Sequence, residues 1–178
     1  MNTEHHRVFS ISLNEVRSRI SDDTYLNRLL LASLITQFEV YLQSVTVGLI
    51  AASRPLMIRL AGSGVFKNQT ISLSKAIEND MGKYIVAQVK NIVFHNLSDI
   101  EPLFRQAFDI RITVTKEIIG LIKLRHDIVH RNGYTKDGVC HDLQGAALVD
   151  HLEIISALID VIDKQLIEKF PELFKIGQ

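Results

Sequence analysis

The chain has 178 residues, of which 47% are hydrophobic and 22% are charged, with equal numbers of basic and acidic side chains. This composition is typical of one globular domain with a sizeable core, and it excludes an intrinsically disordered chain. The single cysteine excludes an intrachain disulfide, and the zero net charge argues against a broad, non-specific nucleic-acid surface.

The first third of the sequence predicts two helices. The second is predicted from about Thr24 to Ser53, with capping residues at 22–24 and an end forced by Pro55. This second helix is apolar on several sides, so we expect it to be central. The first helix is indicated by apolar residues at three- and four-residue spacing: Phe9, Leu13, Val16 and Ile20.

The longest apolar run, residues 29–52, has the length of a membrane span. Polar residues at its centre, Gln37, Glu39 and Gln43, would be costly in lipid and favour a buried helix of a soluble bundle. The N-terminal residues are not followed by the apolar core of a signal peptide. We therefore expect a cytoplasmic protein without membrane contact.

The middle of the chain predicts shorter elements. A loop is indicated at 62–64, and serines at 72 and 74 could cap a short helix. A further helix is predicted from Lys83 to Phe94. The next is expected to run from Asp99 to about Phe108, with Pro102 in its first turn.

Two long helices are predicted at the end of the chain. The first runs from Arg111 to His130, although its β-branched residues at 112–114 are also compatible with a strand. The stop signal Asn132–Gly133 and a turn at 136–138 predict a loop or small hairpin before the last helix, residues 144–169. No strand pattern could build a sheet, so the prediction is a single all-α domain over 1–178, with the two long helices antiparallel.

The sequence lacks the motifs of several common binding and catalytic sites. The glycine-rich stretch 61–67 lacks the spacing of a phosphate-binding loop, and no paired cysteines or zinc motif occur. His126 and His130 are four residues apart and could face one metal ion, but no spacing supplies a carboxylate to complete the site. We predict no metal and no cofactor.

The most distinctive segment is 121–134, at the end of an apolar helix. It lies in the most basic part of the chain, because residues 105–136 carry 7 basic and 3 acidic side chains. Polar groups beside buried surface are costly unless they have partners. They could be a capping cluster that complements the helix dipole, or they could line a polar pocket.

This segment resembles the HEPN superfamily, whose signature is an arginine and a histidine separated by four to six residues. Phe38–Leu42 is also similar to an acidic segment in an early helix of such proteins. The fuller match, to the branch called RiboL-PSP-HEPN, is carried by Arg125, His126, Asp127, Ile128, Val129, His130, Arg131, Asn132 and Gly133.

The resemblance implies a metal-independent endoribonuclease that has an HEPN-like helical bundle and acts as a homodimer with its pocket at the interface. His130 would remove the proton of the ribose 2′-OH, and Arg125 would bind the phosphate. The products would be a 2′,3′-cyclic phosphate and a 5′-hydroxyl. Supporting residues would be His126, Asp127, Arg131, Asn132 and Glu39.

The geometry of an ideal helix predicts which side chains of the motif lie close together. Arg125 and His130 lie about 140° apart on an ideal helix, so a distorted helix end or a twofold partner would be needed to bring them together. His126 lies nearer the face of His130, and Asp127 nearer that of Arg131. Glu39 is expected to pair with Arg125 or a histidine, or to be exposed. The remaining histidines are expected to be surface or incidental residues: His5, His6, His95, His141 and His151.

Two other functions fit the same sequence. One is a non-catalytic, HEPN-like dimeric module that binds RNA, a nucleotide or a partner protein. The other is a plain helical interaction protein in which the motif only caps a helix. If the chain is a nuclease, the resemblance suggests a toxin or antiphage effector, with an antitoxin as a candidate partner.

Overall fold

The structure is a computed structural model that describes residues 2–78 and 80–174, and this part of the chain is all-helical. The helices that it contains are α1 (Glu4–Arg17), α2 (Thr24–Ala52), α3 (Arg54–Ala61), α4 (Leu73–Glu78), α5 (Met81–Val89), α6 (Leu97–Phe108), α7 (Lys116–Arg131), α8 (Gly145–Lys169) and α9 (Pro171–Phe174). The predicted all-α class is confirmed.

Helix α2 is the centre of the bundle. It packs against α1, α3, α5, α7 and α8, so apolar residues are needed on more than one of its sides. Asp23 caps its N-terminus by accepting hydrogen bonds from the backbone amides of Tyr25 and Leu26. Its fully buried side chains include Leu31, Leu34, Ile35, Phe38 and Leu42.

The same helix is long and apolar enough to cross a membrane, by length and composition alone. Its most apolar 18-residue window has a mean hydropathy of 1.3, and half of that window is buried inside the protein. A core helix that is mostly buried meets the same criteria. Cellular location stays a prediction.

The junction between α2 and α3 confirms the predicted end of α2 near Pro55. It also starts a helix that the sequence analysis did not predict, because α3 begins at once. Ser53 is extended, with φ of −141°, and its side chain accepts a hydrogen bond from the amide of Leu56. Proline breaks a helix interior but fits a first turn, where its missing N–H has no acceptor to lose. Pro55 therefore ends one helix and starts the next.

Three other boundaries differ from the predictions. Helix α5 is shorter than the predicted Lys83–Phe94, and α6 begins two residues before Asp99, which places Pro102 inside it. The predicted helix from Arg111 starts only at Lys116, because residues 111–115 have no regular secondary structure. The β-branched side chains at 112–115 disfavour a helix, and here that local preference prevails over the helical spacing.

Helices α7 and α8 run antiparallel, as predicted. Before α7, the amide of Arg111 donates to the side chain of Gln165 near the end of α8, and the Gln165 side chain donates back, both at 2.9 Å. At the other end, residues 132–144 connect α7 to the start of α8. This connection is the expected small hairpin, with an antiparallel bridge between Tyr134 and Cys140.

Helix α1 is attached to the bundle by a buried carboxylate. Asp163 of α8 accepts hydrogen bonds from the amide of Thr3 at 2.9 Å and from the hydroxyl of Tyr41 at 3.1 Å. Burial and the neighbouring Asp163 raise the pKa of Tyr41. His6 is buried and lies 2.6 Å from a carboxylate oxygen of Asp160, so the predicted surface position of His6 is wrong.

Candidate functional site

The C-terminus of α7 is capped by its backbone. Asn132 adopts the left-handed conformation, with φ of 53°, and Gly133 follows with φ of 83°. The amides of both residues donate to the carbonyl of Asp127. Backbone amides therefore cap the helix, and no hydrogen bond within the described residues assigns this role to the side chains of His130 or Arg131.

The loop after α7 is held by the start of α2. Nη1 of Arg28 donates to the carbonyl of His141 at 2.8 Å. The buried Asn27 donates to the carbonyl of Leu143 at 3.1 Å. A Cβ on Gly133 would lie only 2.8 Å from Nε of Arg28, so glycine is required here for space as well as for conformation.

Asp127 is fully engaged by its neighbours. One oxygen accepts a hydrogen bond from Arg131 at 2.5 Å, and the other lies 3.0 Å from Nε2 of His141. The hydrogen bond to His141, followed by that to Arg131, holds the pKa of Asp127 below its ordinary value. The expected proximity of Asp127 and Arg131 is confirmed. His141 is not an incidental surface residue, because it connects the loop to α7.

His126 and His130 form an exposed pair on another face of α7. Their ring centroids are 4.6 Å apart, as expected from their four-residue spacing. Partial desolvation lowers the pKa of His126, and the positive charge of Arg131 acts in the same direction. His126 therefore favours the neutral form beside His130.

Arg125 lies on the inner side of α7, where its neighbours along the helix, Leu121 and Ile128, are buried. Its Nε is buried without a hydrogen-bond partner. Within the described residues, no hydrogen bond or ion pair connects Arg125 to His130. An unpaired buried guanidinium nitrogen is unfavourable, which makes this position suited to an anion supplied from outside.

Glu39 lies outside this cluster. It is half-buried in α2 and forms an ion pair and hydrogen bond with Nδ1 of His95. Of the predicted alternatives, the structure shows the pairing with a histidine and not with Arg125. His95 is therefore not incidental, and it follows α5 at the edge of a cavity beside α7.

Within residues 2–78 and 80–174, no group of three or more His, Cys, Asp or Glu side chains is arranged to hold a metal ion. Among these residues, His126 and His130 therefore have no third side chain placed to complete a metal site with them. Compared with family models, curated proteins and solved structures, the chain matches none of them.

Sequence reasoning missed the residues that position the site. Asn27 and Arg28 lie in the first turns of α2, far from the motif in sequence, and both donate hydrogen bonds to carbonyl groups of the loop. A polar Asn27 beside apolar residues was the available signal, because an asparagine buried in a helix must find partners. Which carbonyls it would contact depends on tertiary packing.

Proposed function

We propose that this protein is an HEPN-type, metal-independent endoribonuclease. One observation supports the proposal most. Arg125, His126 and His130 have no carboxylate partner among the described residues, whereas the adjacent Asp127 has two partners. A cluster that only served stability would be expected to use the nearby carboxylate. These three side chains are instead available to an anionic ligand such as a phosphodiester.

The proposed chemistry uses the nucleophile that RNA itself carries. His130 takes the proton from the ribose 2′-OH, and the 2′-oxygen attacks the adjacent phosphorus. Arg125 stabilises the negative charge that develops on the phosphoryl oxygens. The bond from phosphorus to the 5′-oxygen breaks, and this oxygen leaves as a hydroxyl after gaining a proton from an imidazolium or from water. A 2′,3′-cyclic phosphate remains on the other product.

The proposal includes a homodimer. Arg125 is partly exposed and His130 is exposed, so a second α7 end around a twofold axis would place the Arg125 of one chain beside the His130 of the other. Val129 and Tyr134 flank the motif with exposed apolar surface that such a partner could cover. Neutral His126 would support the reaction by keeping a second positive charge away from the base.

The test is RNA cleavage in EDTA by purified wild-type protein, Arg125→Ala and His130→Ala, with the product ends analysed. We expect each substitution to lower the rate by about 10²–10⁴-fold. Matched controls are Arg105→Ala, at an exposed arginine of α6 paired with Glu101, and His151→Gln, at a half-buried histidine of α8. Cleavage by His130→Ala at the wild-type rate would contradict the proposal.

A non-catalytic, dimeric RNA-binding module is the second candidate. It is favoured by the separation of Arg125 and His130 within one protomer. In that case the same proteins would bind RNA through Arg125 without cleaving it. A role as a toxin or antiphage effector, with an antitoxin as partner, belongs to the nuclease proposal and depends on its outcome.

A further inference from the structure

A cavity of about 630 Å³ lies beside α7, on the side of α6 and the non-helical segment 112–114. Its size falls within the range of about 300–1,000 Å³ that is usual for small-ligand pockets. Its lining is mainly apolar, from Leu97, Pro102, Ile112, Val114, Ile119 and Ile122. The chemistry assigned to Arg125 and His130 makes no use of this cavity.

The rim of the cavity carries the polar groups of His95, Lys123 and Glu101, and the carboxylate of Glu101 is paired with Arg105 at 3.1 Å. The ring of His95 is fixed by its pair with Glu39, which gives the cavity one planar wall. Lys123 is exposed at the edge, and within the described residues it has no acceptor partner. An unpaired ammonium next to an apolar cavity is complementary to a ligand that has a flat, weakly polar part and a negative charge.

The cavity and the proposed active site lie along the same face of α7. Ile119, Lys123, His126 and His130 follow one another along α7 at three- and four-residue spacing, so they share one face. Lys123 is two helical turns from His130, which corresponds to about 10 Å along the axis. A single strand of RNA with a phosphate at His130 could therefore extend along this face to the cavity.

We propose that the cavity binds the base of a nucleotide close to the scissile bond, and that Lys123 binds a phosphate of the same strand. Sequence-specific recognition of RNA usually acts on unstacked bases of single strands, which need a new surface to replace their lost stacking. The isoleucines and the His95 ring supply that surface. This inference rests on the proposed function, because it identifies single-stranded RNA as the substrate.

The test measures binding of a fluorescein-labelled, single-stranded 2′-O-methyl RNA, which lacks the nucleophile and cannot be cleaved by this chemistry. Ile119→Trp fills the cavity from α7. Val161→Trp is its matched control, because both residues are partly exposed aliphatic side chains within long helices. Lys123→Gln removes the rim charge, and Lys116→Gln is its control at the start of the same helix.

We expect Ile119→Trp to raise the Kd by about tenfold or more, the usual effect of losing one stacked base. Lys123→Gln should weaken binding and reduce the salt dependence by about one counterion. Val161→Trp and Lys116→Gln should bind like the wild type. The inference is wrong if each variant binds as its control does.

Parallel assays with unmodified RNA separate this inference from the proposed function. If the wild type cleaves RNA and the cavity variants bind like their controls, base binding in the cavity is contradicted and the nuclease proposal is supported. If the cavity variants bind RNA more weakly and the wild type does not cleave it, base binding in the cavity is supported and catalysis is contradicted. A wild type that neither binds nor cleaves RNA would contradict both.

Discussion

Neighbouring side chains at the end of α7 have different environments. Asp127 contacts Arg131 and His141, which keeps it charged and connects the helix to the following loop. His126 and His130 lie on another face and contact each other. The 3.6-residue helical repeat places residues four apart on the same face, so Asp127 and Arg131 share one face and His126 and His130 share another.

The lowered pKa of His126 gives a prediction at this scale. We expect its imidazole signals, followed by NMR during a pH titration, to report a pKa below that of histidine in an unfolded peptide. Arg131→Gln should raise this pKa only in part, because partial desolvation remains as the larger cause. A pKa of His126 above the ordinary value in the wild type would contradict this environment.

The lowered pKa of His126 also makes the stability of the fold depend on pH. Because the folded state binds the proton on His126 less tightly than the unfolded state does, protonation favours unfolding. The stability associated with neutral His126 is present above the ordinary histidine pKa of about 6.5, and it decreases as the pH falls below that value. Acidification should therefore weaken this end of the helix.

At the scale of elements, the loop 132–144 is the part of the site that is most dependent on the rest of the fold. Its start is a left-handed turn at Asn132 and Gly133, and its course is set by contacts with Asn27 and Arg28 of α2. Such a turn needs glycine where a side chain would contact another element.

Gly133→Ala tests the packing of this loop. We expect a loss of about 1–3 kcal/mol in the free energy of unfolding, from the positive φ and from displacement of Arg28. Gly138→Ala is the control, because Gly138 also has a positive φ but an added Cβ would meet nothing within 4 Å. Equal losses in chemical denaturation would show that Arg28 does not constrain the loop.

The sequence was informative about elements whose signals are local. The apolar spacing and the Asn132–Gly133 stop predicted α2, α7 and α8 and the hairpin between the last two. It was less informative where local signals conflict, as at Pro55, which both ends and begins a helix, and at the β-branched residues 112–114. The pairing of Glu39 with His95 and of Asp127 with His141 joins distant positions, so spacing alone could not predict either pair.

At the scale of the whole molecule, polar anchors connect helices around the apolar core. Asp163 is 2% exposed, yet it lies in α8 among apolar residues and accepts hydrogen bonds from Thr3 and Tyr41. Its partners come from both the N-terminal segment and α2. A buried carboxylate is acceptable there because these donors replace water.

Asp163→Ala should loosen α1 from the bundle. We expect a loss of about 1–3 kcal/mol in the free energy of unfolding, since buried donors lose their acceptor. Hydrogen exchange should rise first in residues 3–17, whereas Glu153→Ala, which removes an exposed ion pair with Arg17, should have little effect. Unchanged protection of α1 in Asp163→Ala would contradict this role.

We propose that the protein cleaves RNA through the 2′-OH of its substrate. The most direct measurement maps one cleaved bond in an RNA oligonucleotide, replaces the 2′-OH at that nucleotide with hydrogen, and compares the two substrates in EDTA. We predict that cleavage at that bond stops, while the unmodified RNA gives a 2′,3′-cyclic phosphate and a 5′-hydroxyl. Continued cleavage of the 2′-deoxy substrate at the same bond would contradict the account.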